Sequence, residues 1–378
     1  MRVLFITPFN LFPPYWGGGT RTYNLLKHLS RKHEIFLVYP SFKQFKNKDP
    51  ERYRKELADL GIRLFEISTP VGRIQYINPL IVLKCLSLIL KENIDLIICD
   101  YPWSGFYTLA LYFLTGKRFI FIEHNVEYLI KWQVGAKYVN LMKILEKILS
   151  RRASAITTVC GEDKEKLSKF DSVYQKTFVL ENGFDEQIFY PNVIYNPEIR
   201  SKLNIGNSPL ILFFGKLDYP PNKEAVYKIR WDILPKVLEK IPDSKFVIVG
   251  GGYKFNLEHN SLIFTGLVEN IERYINAADV VIAPLLKGGG TKIKILEAVA
   301  CGKTVITTST GAEGLINELT RPFLKIADDW ETFSDHIVEC LNDDDPPHLR
   351  KEFIEKYSWR RVYEKMDKIL ENMTNIKN

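Results

Sequence analysis

The chain reads as an α/β protein built from two Rossmann-like domains with parallel sheets. Three observations predict this. Short apolar runs of strand character alternate with helical runs along the whole chain, the pattern of parallel strands joined by helical crossovers. At 378 residues the chain exceeds what one ordinary core holds, so two domains are expected. Glycine clusters also sit between strands and helix starts, where open α/β sheets gather their ligands.

Taken in order, Val3–Thr7 is the first strand. The long loop from Pro8 to Trp16 leads to Gly17-Gly18-Gly19-Thr20 and a helix through about Leu29. The turn is too long, and its glycines too contiguous, for the spaced dinucleotide fingerprint. A glycine cluster at a helix start still offers unpaired N–H groups to an anion. Glu34–Tyr39, Arg63–Ile67, Asp95–Cys99 and Phe119–Ile122 read as strands, with helices near Glu51–Leu60, Pro79–Lys91 and Gly105–Thr115. The strand at Phe119 delivers Glu123, His124 and Asn125 to its C-terminal end. His124 is therefore a candidate site residue; Glu127 and Asp100 are weaker ones. Tyr138–Ser150 reads as an amphipathic helix, with Leu141, Ile144, Leu145 and Ile148 on one side and Lys143, Lys147, Arg151 and Arg152 around the rest. That apolar side fits either a core or a membrane interface. Ala155–Val159 is a strand, and Gly161-Glu162-Asp163 opens a short helix. Phe189-Tyr190-Pro191 and the polar stretch to Pro197 read as a linker.

The second half repeats the alternation. Leu210–Phe214 runs into Gly215-Lys216-Leu217-Asp218, and Phe246–Gly250 into Gly251 and Gly252. Ile271–Ala278 is a short helix before the strand Val280–Ala283. Pro284, then Gly288, Gly289 and Gly290, precede a helix whose Ile293, Leu296 and Ala300 recur at helical spacing, and Gly302 stops it. Lys294 and Glu297 share one face of that helix. Lysines at a helix N-terminus oppose its dipole, which makes sense when a phosphate lies there. Ser358-Trp359-Arg360 opens a last helix through about Met373.

Composition narrows the classes. An apolar fraction of 46% and a charged fraction of 26% describe a folded protein. Five scattered cysteines, an odd number without a C-x-x-C pair, argue for a reducing compartment and against a disulfide framework or zinc site. MRVLFITPF reads as a buried strand rather than a signal peptide. The apolar stretches Leu80–Leu90 and Phe106–Leu114 fall short of the ~20 residues that span a bilayer and read as core helices. Residues 1–190 hold 27 basic and 19 acidic side chains; the remainder holds 25 and 26. The basic half suits an anionic membrane surface or a phosphate-bearing acceptor. No aromatic-interleaved basic patch points to nucleic acid. The acidic run Asp343-Asp344-Asp345 reads as solvated, and no metal-binding acid pair sits in a suitable turn.

Several segments together resemble the GT4 family of retaining glycosyltransferases. They are LLKGGGTKIKILEAVACGKTVITT (285–308), HNVE (124–127), ENGFD (181–185), GKLDYPPN (215–222) and FTGLV (264–268). The resemblance, to the branch with GGGTKIKxLEA, covers most of the chain. Its branch motif lacks the family's first acid; Gly289 stands there, which leaves a sugar contact unassigned. The resemblance implies a GT-B architecture with two domains facing a cleft. Residues 1–190 would form the acceptor-side domain, 191–357 the nucleotide-sugar domain, and 358–378 a helix crossing back onto the first. It implies catalytic roles for His124, near the reacting sugar carbon, and for Lys216 and Lys294 at the donor pyrophosphate, with Lys223 an alternative to Lys294. Donor contacts fall to Gly18, Gly19, Gly215, Gly266, Leu267, Gly290, Thr291 and Glu297, the last holding the ribose.

The function expected is transfer of a sugar from a nucleotide-sugar to a hydroxyl of a glycan or lipid-linked saccharide, as in cell-surface polysaccharide synthesis. Neither metal nor cofactor is expected. The expected location is cytoplasmic, peripheral at the inner face of the membrane, with the basic half toward anionic lipid. Two alternatives stay open: a sugar-nucleotide epimerase of the same architecture, and a non-catalytic nucleotide-sugar-binding protein.

Overall fold

The computed structural model describes residues 1–14, 16–41, 50–69, 77–133, 135–170, 173–343 and 347–375. Asp344 and Asp345 of the acidic run lie outside them. The chain divides into two compact units, Met1–Glu181 with Val362–Asn378, and Asn182–Arg361.

The first unit is a seven-stranded parallel sheet. Its strands are β1 (Arg2–Ile6), β2 (Glu34–Ser41), β3 (Arg63–Ser68), β4 (Leu96–Asp100), β5 (Phe119–Ile122), β6 (Ala155–Thr158) and β7 (Thr177–Val179), in the order β3-β2-β1-β4-β5-β6-β7. The central strands are buried throughout, as strands covered on both faces must be. The order reverses direction between β1 and β4. By right-handed crossover, the helices Pro79–Lys91, Gly105–Thr115 and Val139–Arg152 share one face of the sheet. They bury Ile81, Cys85, Tyr107, Leu111, Met142 and Leu149 against it in one core.

The outer sides of these helices differ from expectation. Of the four apolar residues predicted to share a side of the third helix, only Leu145 is buried; Leu141, Ile144 and Ile148 face solvent. The buried stripe runs instead through Met142, Leu145 and Leu149. Apolar residues occur nearly all round this helix, so periodicity alone does not say which side meets the sheet. Leu80, Leu83, Leu90, Phe113 and Leu114, on the other two helices, are exposed as well.

The second unit is a six-stranded parallel sheet of β8 (Leu210–Phe214), β9 (Lys245–Val249), β10 (Leu262–Gly266), β11 (Val280–Ala283), β12 (Val305–Thr307) and β13 (Leu324–Ile326), ordered β10-β9-β8-β11-β12-β13. Its reversal lies between β8 and β11. The polar stretch read as a linker to Pro197 runs into the helix Tyr195–Leu203, whose Pro197 sits in the first turn, where a missing N–H costs nothing. The segment 182–190, grouped by sequence with the first domain, packs in the second unit. Phe184 donates its N–H to the Tyr357 carbonyl and accepts from the Trp359 N–H, both at 2.9 Å.

The final helix, Trp359–Asn375, gives its first three residues to the second unit and the rest to the first. In the first unit the Tyr363 hydroxyl donates to the Arg21 carbonyl at 2.6 Å, and Asp367 lies 3.2 Å from His28 Nε2. Among the described residues, no helix is long and apolar enough to cross a membrane.

Candidate functional site

Each unit carries a cluster at the C-terminal ends of the strands flanking its reversal point, where open α/β sheets bind ligands.

In the second unit, β8 ends in the Gly215 turn, and the helix Ile293–Ala300 starts beyond the glycine loop that follows β11. Lys294, in the first turn of that helix, donates to Asn222 Oδ1 at 2.8 Å, and Asn222 Nδ2 donates to the Lys216 carbonyl at 2.8 Å. Asn222 thus ties the helix to the Gly215-Lys216 turn. The Lys294 ammonium also sits 4.5 Å from the centre of the Phe213 ring. Burial pulls Lys294 down to about 7, against the attraction of Glu297. Burial pushes Glu297 up to about 7, with Lys294 drawing it back. Neither side chain is wholly enclosed; each keeps part of its surface in solvent. Among the described residues, no hydrogen bond to the Glu297 carboxylate is formed.

The start of this helix has no side-chain cap and no acid in its first turn. Its orphan N–H groups and dipole therefore favour an anion. Lys292 turns away from that position and donates to the Gly289 and Gly290 carbonyls, at 3.2 and 2.6 Å. It braces the glycine loop. Thr291 is held by Asn182, whose Nδ2 donates to its hydroxyl and carbonyl oxygens at 2.8 and 2.9 Å. Gly290 adopts φ +62. The exposed Lys216 ammonium lies 3.6 Å from Asp218. Lys223 sits 3.6 Å over the Tyr253 ring, so Lys294 is the lysine beside the Gly215 turn.

The same edge is backbone-lined. Gly215 donates to Val249 O, Gly250 to Gly266 O and Leu217 to Gly251 O. Gly250 has φ +152, and a Cβ there would run into the Gly215 carbonyl oxygen. Only glycine fits that position. Gly266, the last residue of β10, and the exposed Leu267 after it continue the edge.

In the first unit, β4 ends in Asp100 and β5 delivers Glu123 and His124. His124 Nε2 lies 2.7 Å from Asp100 Oδ1, and the Thr22 hydroxyl donates to Asp100 Oδ2 at 3.1 Å. The Tyr101 ring stacks on the imidazole, 3.7 Å between centroids and 3° from parallel. Tyr101 takes the left-handed φ of +63, a conformation that a residue other than glycine keeps only when its surroundings hold it there. Gly18 makes room for it, since a Cβ on Gly18 would fall inside the Tyr101 hydroxyl. A Cβ on neighbouring Gly19 would crowd the Trp16 indole. Burial lowers the His124 pKa, although Asp100 opposes this.

Of the weaker candidates, Asp100 is the direct partner of His124. Glu127 pairs instead with Lys131, one turn along its own helix, at 2.6 Å. Sequence reading missed Thr22, Tyr101, Asn182 and Asn222, which hold the named residues in place. It also missed Arg21, buried and donating to the Leu180 and Glu181 carbonyls at 2.7 and 2.8 Å. Asn182, within ENGFD, and Asn222, within GKLDYPPN, are the two for which the sequence carried a signal.

Comparison with known proteins identifies the family and the fold. Residues 16–188 match the model described as Glycosyltransferase Family 4, and residues 208–343 match Glycosyl transferases group 1. An uncharacterized glycosyltransferase of Methanocaldococcus jannaschii is 22% identical, covering 98% of this chain and 99% of its own. A GDP-mannose-dependent alpha-(1-6)-phosphatidylinositol monomannoside mannosyltransferase of Mycolicibacterium smegmatis is 24% identical over 80% of this chain and 79% of its own. The crystal structure of HepE from Anabaena, in complex with UDP and glucose, superposes with a TM-score of 0.77 at 16% identity, over 98% of this chain and 99% of that one. The chain belongs to the group 1, family 4 glycosyltransferases, and its fold is GT-B.

Proposed function

We propose that this transferase moves a sugar from a nucleotide-sugar to a hydroxyl of a lipid-linked or glycan acceptor, keeping the anomeric configuration and needing no metal. The observation that carries the reading is Lys294, held by Asn222 beside the Gly215 turn, with the uncapped start of its helix at the same place and Glu297 one turn on. The hard step is departure of a nucleoside diphosphate. Cations and oriented N–H groups aimed at the leaving charge stabilise it as it develops. Lys294, Lys216 and the backbone of Gly290 and Thr291 are assigned to that charge, and Glu297 to the ribose hydroxyls. Gly266 and Leu267 are assigned to the base, and Gly215, Gly18 and Gly19 to the donor phosphates. His124, held by Asp100 and Tyr101, is assigned to the donor sugar near the reacting carbon.

The mycobacterial relative is named for a GDP-sugar and a phosphatidylinositol-based acceptor, and the Anabaena structure holds UDP and glucose. These support a nucleotide-sugar donor and a lipid-borne acceptor; the same proposal puts the work at the inner face of a membrane. The test is release of nucleoside diphosphate from UDP-glucose and GDP-mannose in EDTA, with product stereochemistry read by NMR. A retained glycoside formed in EDTA is the expected result. Activity that appears only when Mn²⁺ or Mg²⁺ is restored overturns the metal-free reading. A 2-epimer without a glycoside overturns transfer.

A further inference from the structure

We infer that the outer face of the three helices Pro79–Lys91, Gly105–Thr115 and Val139–Arg152 is a docking surface for an anionic lipid bilayer. The inference deepens the lipid-acceptor reading, on which it rests, by naming the surface. These helices cover one face of the first unit's sheet. They pack tightly enough that a Cβ on Gly105 would collide with the Leu149 side chain. Their outer sides are apolar where solvent-facing helices are ordinarily polar. Leu90 is 71% exposed, Phe113 66% and Ile144 57%. Leu141, Ile144 and Ile148 lie at offsets of 0, 3 and 7, so they form one line along the third helix. Exposed large apolar side chains gathered on adjoining helices mark an interaction surface, whereas scattered ones are ordinary.

The charge around this face selects the occupant. The three helices carry six Lys and Arg and one acid, Glu146; the wider segment 77–152 contains ten Lys and Arg, of which Lys131 pairs with Glu127, and six Asp and Glu. Four of the six acids, Asp100, Glu123, Glu127 and Glu146, are buried inside the unit. The other two are engaged locally: Glu92 pairs with Arg63 at 2.9 Å, and Asp95 accepts the Arg2 N–H at 2.9 Å. The cations lie beside the apolar line. Arg151 and Arg152 follow Ile148 by one helical turn, and Lys84 follows Leu80 by one. The Arg152 guanidinium lies 5.8 Å from the centre of the Phe113 ring, which joins the basic end of the third helix to the aromatic end of the second. An apolar stripe edged by Lys and Arg fits an anionic interface: the apolar side chains enter the acyl boundary and the cations meet the headgroups. A second copy of the chain on this face would oppose one basic rim to another.

The test is co-sedimentation of the full chain with vesicles of phosphatidylcholine alone or with about one-third phosphatidylglycerol, without donor or acceptor. The chain should partition onto the anionic vesicles and be released by high salt. The triple variant Leu83→Asp, Phe113→Asp, Ile144→Asp changes only exposed positions, so the fold should persist. It should lose about tenfold or more in partitioning. Its release of nucleoside diphosphate from a nucleotide-sugar by hydrolysis should equal the unaltered chain's. Trp231→Asp, an exposed site in the second unit, should leave vesicle binding unchanged. Equal binding to neutral and anionic vesicles, or undiminished binding by the triple variant, overturns the proposal. So does a triple variant that splits a stable dimer, since the face then serves self-association. Because vesicle binding is read without donor, it can fail while transfer stands, and transfer can fail while it stands.

Discussion

Lys294 links electrostatics to ligand binding at the level of single residues. With its pKa pulled to about 7 by burial, it is half deprotonated near neutrality in the free protein. A bound diphosphate stabilises the charged form, so its pKa rises on binding. Glu297 loses its proton over the same range, which favours binding, so it is above that range that affinity for a nucleoside diphosphate should fall as pH rises, by up to roughly tenfold per unit, with proton uptake on binding. Calorimetry in buffers of differing ionisation enthalpy measures that uptake. Lys294→Met should abolish both the uptake and the alkaline fall. At His124 the prediction concerns rate. Asp100→Asn keeps the size of the side chain but removes the charge that steadies the imidazole. It should lower kcat by about 100-fold with little change in the donor KM. An equal loss in both parameters would mark Asp100 as merely structural. His124 and Glu297 were legible because each sits at a position that topology makes special, a strand end and the face of a helix start. Thr22, Tyr101 and the contacts of Asn222 were not. Their partners are 78, 23 and 72 residues away in sequence, and only folding brings them together.

Among the elements, glycine clusters were the most legible features, because a turn that lacks Cβ atoms announces close backbone approach. Their conformations required the structure. Gly250→Ala should destabilise the second unit by at least about 2 kcal/mol, since it combines a positive φ with a backbone collision. Urea unfolding measures this. Strands β7, β12 and β13 escaped recognition because three residues are too few to show a period, and they exist by pairing with β6, β11 and β12. The Val139–Arg152 helix was recognised, but its apolar residues outnumber those its core can hold. The surplus faces outward, and that surplus became the proposed bilayer face.

The whole molecule is two units built on one plan, each placing its cluster where its strand order reverses. Alternation, length and the glycine turns made that plan readable. The division at 181/182 was not, because it is the pairing of Phe184 with Tyr357 and Trp359, and of Asn182 with Thr291, that puts the ENGFD turn from Asn182 onward in the second unit. The central claim is that the second unit holds a nucleoside diphosphate through the Lys294 and Glu297 helix without a metal. The most direct test is calorimetric titration of UDP and GDP, in EDTA at pH 7, into the unaltered chain and into Glu297→Ala. One nucleotide should bind, and the variant should bind it more weakly by roughly 2–4 kcal/mol, about 30- to 1,000-fold, if the carboxylate accepts both ribose hydroxyls. Equal affinity in the two proteins, or no binding of either nucleotide until a divalent metal is added, would contradict the account.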